Sequence, residues 1–115
     1  MIDLKKRTFD FAIMTLDLLE KLEINKISSI VVTQLAKSGT SVGANYEESQ
    51  GTHSKKDLYH KIGICLREIR ESNYWLRIIS VKKWGSDKDQ LNSLLKESEE
   101  IKLIFGKIFS KRLND

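Results

Sequence analysis

The segment Ser38-Gly39-Thr40-Ser41-Val42-Gly43-Ala44-Asn45-Tyr46-Glu47-Glu48-Ser49 lies within a stretch of helical periodicity and is crowded with small side chains. A glycine inside a helix costs roughly 1 kcal/mol relative to alanine, and two occur here, four residues apart. In a soluble chain the compensation for missing bulk is close approach, because a second helix can then lie nearly against the first. The fold must therefore bring helices into tight contact along this segment. Ser38, Gly39, Val42, Gly43 and Asn45 are its expected helix-packing residues.

The rest of the chain agrees with a helical reading. It has 115 residues, the size of one domain, and no proline to interrupt a helix. Period-3.6 patterning predicts helices over about 3–23, 27–50, 55–83 and 88–112. In the first, Phe9, Ala12, Leu16 and Leu19 form one apolar row and Phe11, Leu18 and Leu22 another. Ser28 or Ser29 is expected to cap the second helix and Gly51 to end it. Ser54 opens the third in capping-box fashion with Asp57, and Gly85 is expected to stop it. Asp87 caps the fourth, which carries a seam of Leu91, Leu94, Ser98, Ile101, Phe105 and Ile108. Short loops between long helices make neighbours antiparallel, so the expected fold is an all-α, up-down-up-down four-helix bundle in one domain, 1–115.

Polar positions on the second helix sharpen this picture. Val31, Leu35, Val42 and Tyr46 form its apolar stripe, and Asn45 shares that face. A buried amide left without partners costs roughly 1–3 kcal/mol, so Asn45 reads as a residue that fixes helix register; a ligand contact is the alternative.

The third helix presents two unusual surfaces. Leu58, Ile62, Cys65, Ile69 and Leu76 make its core stripe, but Ile64, Trp75 and Ile79 widen the apolar arc. The excess suggests a subunit interface containing those three residues; a small bundle wrapping one helix deeply would give the same pattern. On the other side lie Lys56, His60, Arg67, Arg70 and Tyr74, with Arg77 at the margin. Residues 53–83 hold eight lysines and arginines against three acids, a balance of +5, whereas the remainder has twelve against thirteen, a balance of −1. Such concentrated basicity suits a polyanion, with Tyr74 free to stack on a base. The alternative is a solvated face with local pairs, such as Arg67 with Glu71 four residues on.

Reactive chemistry is not visible. One cysteine and two histidines are too few for a zinc site. The Glu-x-x-His pairs of a di-metal bundle are missing, and Cys65 sits on the core stripe as a packed thiol. No phosphate-cradling glycine loop occurs. The expectation is a protein that is not an enzyme and uses no cofactor and no metal. No apolar run reaches the ~20 residues of a membrane span, and the lone cysteine makes no internal disulfide, which together point to the cytoplasm.

These residues also carry a resemblance. Ser38-Gly39-Thr40-Ser41-Val42-Gly43-Ala44-Asn45 with Glu48, then Ser54-Lys55-Lys56-Asp57-Leu58, then Leu66-Arg67-Glu68-Ile69-Arg70-Glu71-Ser72-Asn73-Tyr74-Trp75-Leu76, resemble the bacterial four-helix bundle proteins encoded in intervening sequences of 23S ribosomal RNA genes. The likeness spans roughly residues 5 to 110. Glu47, where a small residue is common, and Ser49, where glycine is frequent, depart from the pattern. The resemblance implies an antiparallel bundle assembled as a homo-oligomer, commonly a pentamer. Related accessory proteins of diversity-generating retroelements are basic pentamers that work with RNA and a reverse transcriptase.

The functional expectation is a non-enzymatic homo-oligomer binding RNA or DNA through Lys55, Lys56, Arg67, Arg70 and Arg77, with Tyr74 as a stacking residue. The competing expectation is a protein–protein assembly or adaptor module with no nucleic-acid role, which Trp75 and Trp84 would serve.

Overall fold

Three of the four helices begin where a side-chain oxygen accepts an otherwise unpartnered backbone N–H. The computed structural model describes residues 2–85 and 87–115. Helix α1 (Leu4–Glu20) opens on Asp3, whose carboxylate accepts from the Lys6 N–H. Helix α3 (Lys55–Lys82) opens on Ser54, which accepts from Asp57 N. Helix α4 (Lys88–Ser110) opens on Asp87, which accepts from Gln90 N. That bond, together with Lys21, holds the Asp87 carboxyl below its ordinary value. A single 3₁₀ turn (Lys111–Leu113) follows α4.

Helix α2 (Ser28–Ser49) starts differently from expectation. Neither Ser28 nor Ser29 is the cap. Asn25 Oδ1 accepts from the N–H groups of Ile27 and Ser28, each at 2.9 Å, and Ser28 Oγ accepts in return from Asn25 N. The amide reaches two donors at once, which a serine hydroxyl at the helix start does not.

The helix ends also differ. No described glycine has a positive φ, so Gly51 and Gly85 are not left-handed caps. Lys83 takes that conformation instead, at φ 58° and ψ 37°. Its N–H bonds the Ser80 carbonyl and the Trp84 N–H bonds the Ile79 carbonyl, a Schellman closure with the half-buried Trp84 as its apolar anchor.

Helices adjacent in sequence pack together, and α1 closes the bundle against α4. With short connections this is the antiparallel four-helix bundle. The 28 residues of α3 span about 42 Å, nearly the whole 46 Å long axis. The core is a continuous column including Phe11, Leu18, Leu35, Val42, Ile62, Ile69, Leu76, Leu94, Ile101 and Phe105. Tyr46 meets Phe105 edge to face, with centroids 5.8 Å apart.

Helix α1 buries Leu4, Thr8, Phe11, Thr15, Leu18 and Leu19. The expected row of Phe11, Leu18 and Leu22 is buried, Leu22 just past the helix end, whereas of the row with Phe9 only Leu19 is. Phe9 points outward and is 61% exposed. The reason lies across the contact. Gly43 faces Thr8 and Gly39 faces Thr15: a Cβ on Gly43 would lie 3.2 Å from the Thr8 carbonyl oxygen, and one on Gly39 only 2.9 Å from Thr15 Cγ2. Two glycines on α2 thus meet two threonines on α1, and the backbones approach where neither side carries bulk.

Asn45 does not fix register between helices. It is half-buried, and its Nδ2 donates to Ser41 O in its own helix at 2.8 Å. The polar ties across the core come from other residues. Ser72 lies 2.9 Å from Ser38 between α3 and α2, and Asn73 Nδ2 donates to Ser98 Oγ at 2.9 Å between α3 and α4.

Candidate nucleic-acid interface

The basic face of α3 follows from its periodicity, since residues that avoid the core stripe emerge on the far side. Lys55, Lys56, Arg67, Arg70, Tyr74 and Arg77 are all exposed. Their surroundings divide them into groups.

At one end, Lys55 and Lys56 border a groove with Tyr59, His60, Phe109, Arg112 and the acid Asp115. The Arg112 guanidinium lies 3.8 Å from the Phe109 ring centroid, a close cation–π contact. Phe109 can sit there because Gly63 leaves space: a Cβ on Gly63 would be 2.9 Å from the ring. The Tyr59 hydroxyl donates to Asp115, which raises the Tyr59 pKa.

Midway along, Arg70 shares a second groove with Lys102, Leu103, Gly106 and Lys107 of α4. Farther on, Arg77 Nε donates to Asn73 Oδ1 at 3.0 Å while the same Asn73 donates to Ser98. The core amide therefore holds Arg77 on α3. The guanidinium also stands 5.6 Å from the Tyr74 ring centroid.

Arg67 stands apart from these. Its guanidinium is 3.7 Å from Glu68, not paired with Glu71. Glu71 instead accepts from the Trp75 indole N–H at 3.2 Å. Burial raises the Glu68 pKa, with Glu71 adding to the rise and Arg67 opposing it. Among the described residues, no carboxylate lies within 4 Å of the cationic groups of Lys55, Lys56, Arg70 or Arg77.

The α4 cations were not anticipated on this surface. The signal was present: residues 101–114 carry Lys102, Lys107, Lys111 and Arg112 and no acid. A balance taken over α3 alone hides it, because the rest of the chain averages out near neutrality.

A family model, 23S rRNA-intervening sequence protein, matches residues 2–107. The chain belongs to this family. Its fold is also that of a solved protein of unknown function from the S23 ribosomal protein family of Bacteroides thetaiotaomicron, with a TM-score of 0.81 at 29% identity over 92% of this chain and 97% of that one. No curated protein matches the chain.

In this member of the 23S rRNA-intervening sequence family, the residues expected to form a subunit interface are largely absorbed by the bundle. Ile79 is 0% exposed and belongs to the core, which removes it from any surface. Ile64 and Trp75 are half-buried, and Trp75 packs against the core. At Ile79 the extra apolar arc of α3 is the deep wrapping of one long helix by its neighbours; Ile64 and Trp75 keep part of their surface open. Open apolar surface lies elsewhere. Between α1 and α2 a groove of about 300 Å³ is lined by Phe9, Ala12, Ile13, Leu16 and Ala44, with Ile13 44% exposed. Lys5 and Glu47, 3.5 Å apart, close its rim.

Cys65 is fully buried, its thiol 3.5 Å from the Val42 carbonyl. Burial pushes its pKa up to about 12, so the nucleophilic thiolate is suppressed at neutral pH. Among the described residues no three His, Cys, Asp or Glu side chains gather as a metal ion would require, and no helix is long and apolar enough to cross a membrane.

Proposed function

We propose that this chain is a non-enzymatic, homo-oligomeric bundle that binds RNA or DNA through the basic face of α3, in the cytoplasm. The observation that supports the reading is the row of Lys55, Lys56, Arg70 and Arg77, none with a carboxylate within 4 Å among the described residues, along one side of a 28-residue helix. Cations without nearby carboxylates keep their full attraction for phosphate, and releasing the counterions of a nucleic acid drives such binding. Self-association is supported by the exposed groove at Phe9 and Ile13. The pentamer rests on the family resemblance alone. Several copies would repeat the basic face and turn weak contacts into tight ones through avidity.

The test is a mobility shift with a structured RNA at low salt. Arg67→Glu combined with Arg70→Glu is expected to weaken retention at least about tenfold while helicity stays unchanged. Retention equal to that of the unaltered protein would remove α3 from the interface. A second reading, an adaptor that binds protein, is favoured by the same apolar groove. Salt separates them, since phosphate binding weakens steeply as salt rises and an apolar contact does not.

A further inference from the structure

Resting on the nucleic-acid reading above, we infer that the ligand is the phosphodiester backbone of a duplex, held along a track formed jointly by α3 and α4. The cations of the two helices meet in shared grooves. Arg70 of α3 faces Lys102 and Lys107 of α4, and Lys55 and Lys56 of α3 face Arg112 beyond α4. Arg77, held by Asn73, extends the α3 row beyond these grooves. Gly106 keeps the middle groove open, with nothing within 4 Å of where its Cβ would be. Within that groove only Lys102 has a carboxylate close by, Glu99 at 2.9 Å.

Dimensions favour a duplex. Lys55 to Arg77 covers about 33 Å of helix, and phosphates repeat about every 3.4 Å along a strand, so the track spans about one duplex turn. Packed helices stand about 8–10 Å apart, between the widths of the minor and major grooves, roughly 6 and 12 Å. Two cationic rows at that spacing can reach phosphates on both strands.

Occupied aromatic rings argue against a single strand, which is gripped by stacking its bases on open rings. Phe109 carries the Arg112 guanidinium on one side and lies against Gly63. At Tyr74, Arg77 and the edge-on Trp75, with centroids 5.1 Å apart, compete with a base for the ring. Tyr59 is tied to Asp115. Tyr74, 49% exposed, serves in this reading through its cation–π pair, which presents Arg77 to phosphate, and not through stacking on a base.

The experiment is fluorescence anisotropy on the full chain, with RNA and DNA duplexes of about 20 base pairs, longer than the track, and an unstructured single strand of equal length. Either duplex is expected to bind at least about tenfold tighter than the strand; the two duplex arms tell an RNA ligand from a DNA one. Seven cations each meeting one phosphate give a log–log salt slope of about −6 on a duplex. Lys102→Glu with Lys107→Glu is expected to bring that slope to about −4.5 and to weaken binding at least tenfold, with Lys107→Glu alone giving about half the slope change. A single strand bound as tightly as the duplexes, or an α4 double variant that binds duplex like the unaltered protein while Arg70→Glu does not, would overturn the two-helix track and leave α3 binding standing. No binding to any of the three would overturn both.

Discussion

A methyl group added at Gly39 would lie 2.9 Å from Thr15 Cγ2, closer than carbon atoms pack, and Thr15 is enclosed and branched, so it has nowhere to go. Overpacking of this kind costs typically 1–3 kcal/mol, against roughly 1 kcal/mol gained when alanine replaces glycine in a helix. Gly39→Ala is expected to lower stability by about 1 kcal/mol. At Gly106 the same change meets nothing within 4 Å, so only the propensity gain remains. Gly106→Ala is expected to raise stability by about 1 kcal/mol, a melting shift of roughly 4 °C upward, while Gly39→Ala shifts downward by a similar amount. Two melting curves check this, and shifts of the same sign would contradict the packing account. Sequence alone pointed to Gly39 and Gly43 as contact residues, because two interior glycines demand compensation. It did not reveal their partners. Thr8 and Thr15 read as polar, and their place in the seam shows only when threonine is counted as a residue able to bury its methyl. The Thr15 hydroxyl has no hydrogen-bond partner in the structure, so its burial is tolerated for fit, not for bonding.

At the scale of elements, the end of α3 is decided by packing and not by the nearest glycine. The chain turns at Lys83, where a left-handed conformation costs a side-chain-bearing residue roughly 1–2 kcal/mol. The Trp84 ring, half-buried against the core, fixes the point of exit and forces the preceding residue to carry that strain. Lys83→Gly is expected to stabilise the chain by about 1 kcal/mol, net of the entropy that glycine gains in the unfolded state. Chemical denaturation measures it, and a lowered midpoint would mean that the Lys83 side chain contributes more than its strain costs. The helices themselves were legible because their seams are regular: Leu91, Leu94, Ser98, Ile101 and Phe105 of α4 are all buried, as their spacing requires. On α1 the seam Leu4, Thr8, Phe11, Thr15 and Leu18 is equally regular, and its Phe11–Leu18 row was legible; the row through Phe9 buries only Leu19, because the two threonines complete the seam in place of bulk. Asn45 misled for a related reason. Its spacing put it on the apolar face, but it is only half-buried there, and an amide at the margin can satisfy itself on the carbonyl one turn back, as it does at Ser41.

At the scale of the molecule, what sequence could not order was the surface, because which side of a helix meets solvent depends on all its neighbours at once. The wide arc of α3 suggested a place for another subunit, and the bundle takes Ile79 wholly into its core, leaving Ile64 and Trp75 half-buried. The apolar surface that does remain open runs along α1 and α2, where Phe9 and Ile13 flank small residues and the Lys5–Glu47 pair marks a polar edge. It lies away from the α3–α4 basic face, so a copy docked there would leave the cations uncovered. Burying a phenylalanine and an isoleucine from each copy is worth about 1.5–3 kcal/mol per side chain, enough to matter for a 115-residue chain. Self-association through this groove predicts a mass in solution that is a multiple of the 13.3 kDa chain, five times that value if the family resemblance extends to assembly. Phe9→Asp, which places a charge at the centre of the apolar surface but outside the core, is expected to reduce the mass to that of one chain with the helical signal retained. Light scattering reads the mass directly. An assembly that survives Phe9→Asp would move the subunit contact off the α1–α2 groove, and a wild-type mass of 13.3 kDa would make the protein a monomer whose affinity for nucleic acid owes nothing to repetition of its basic face.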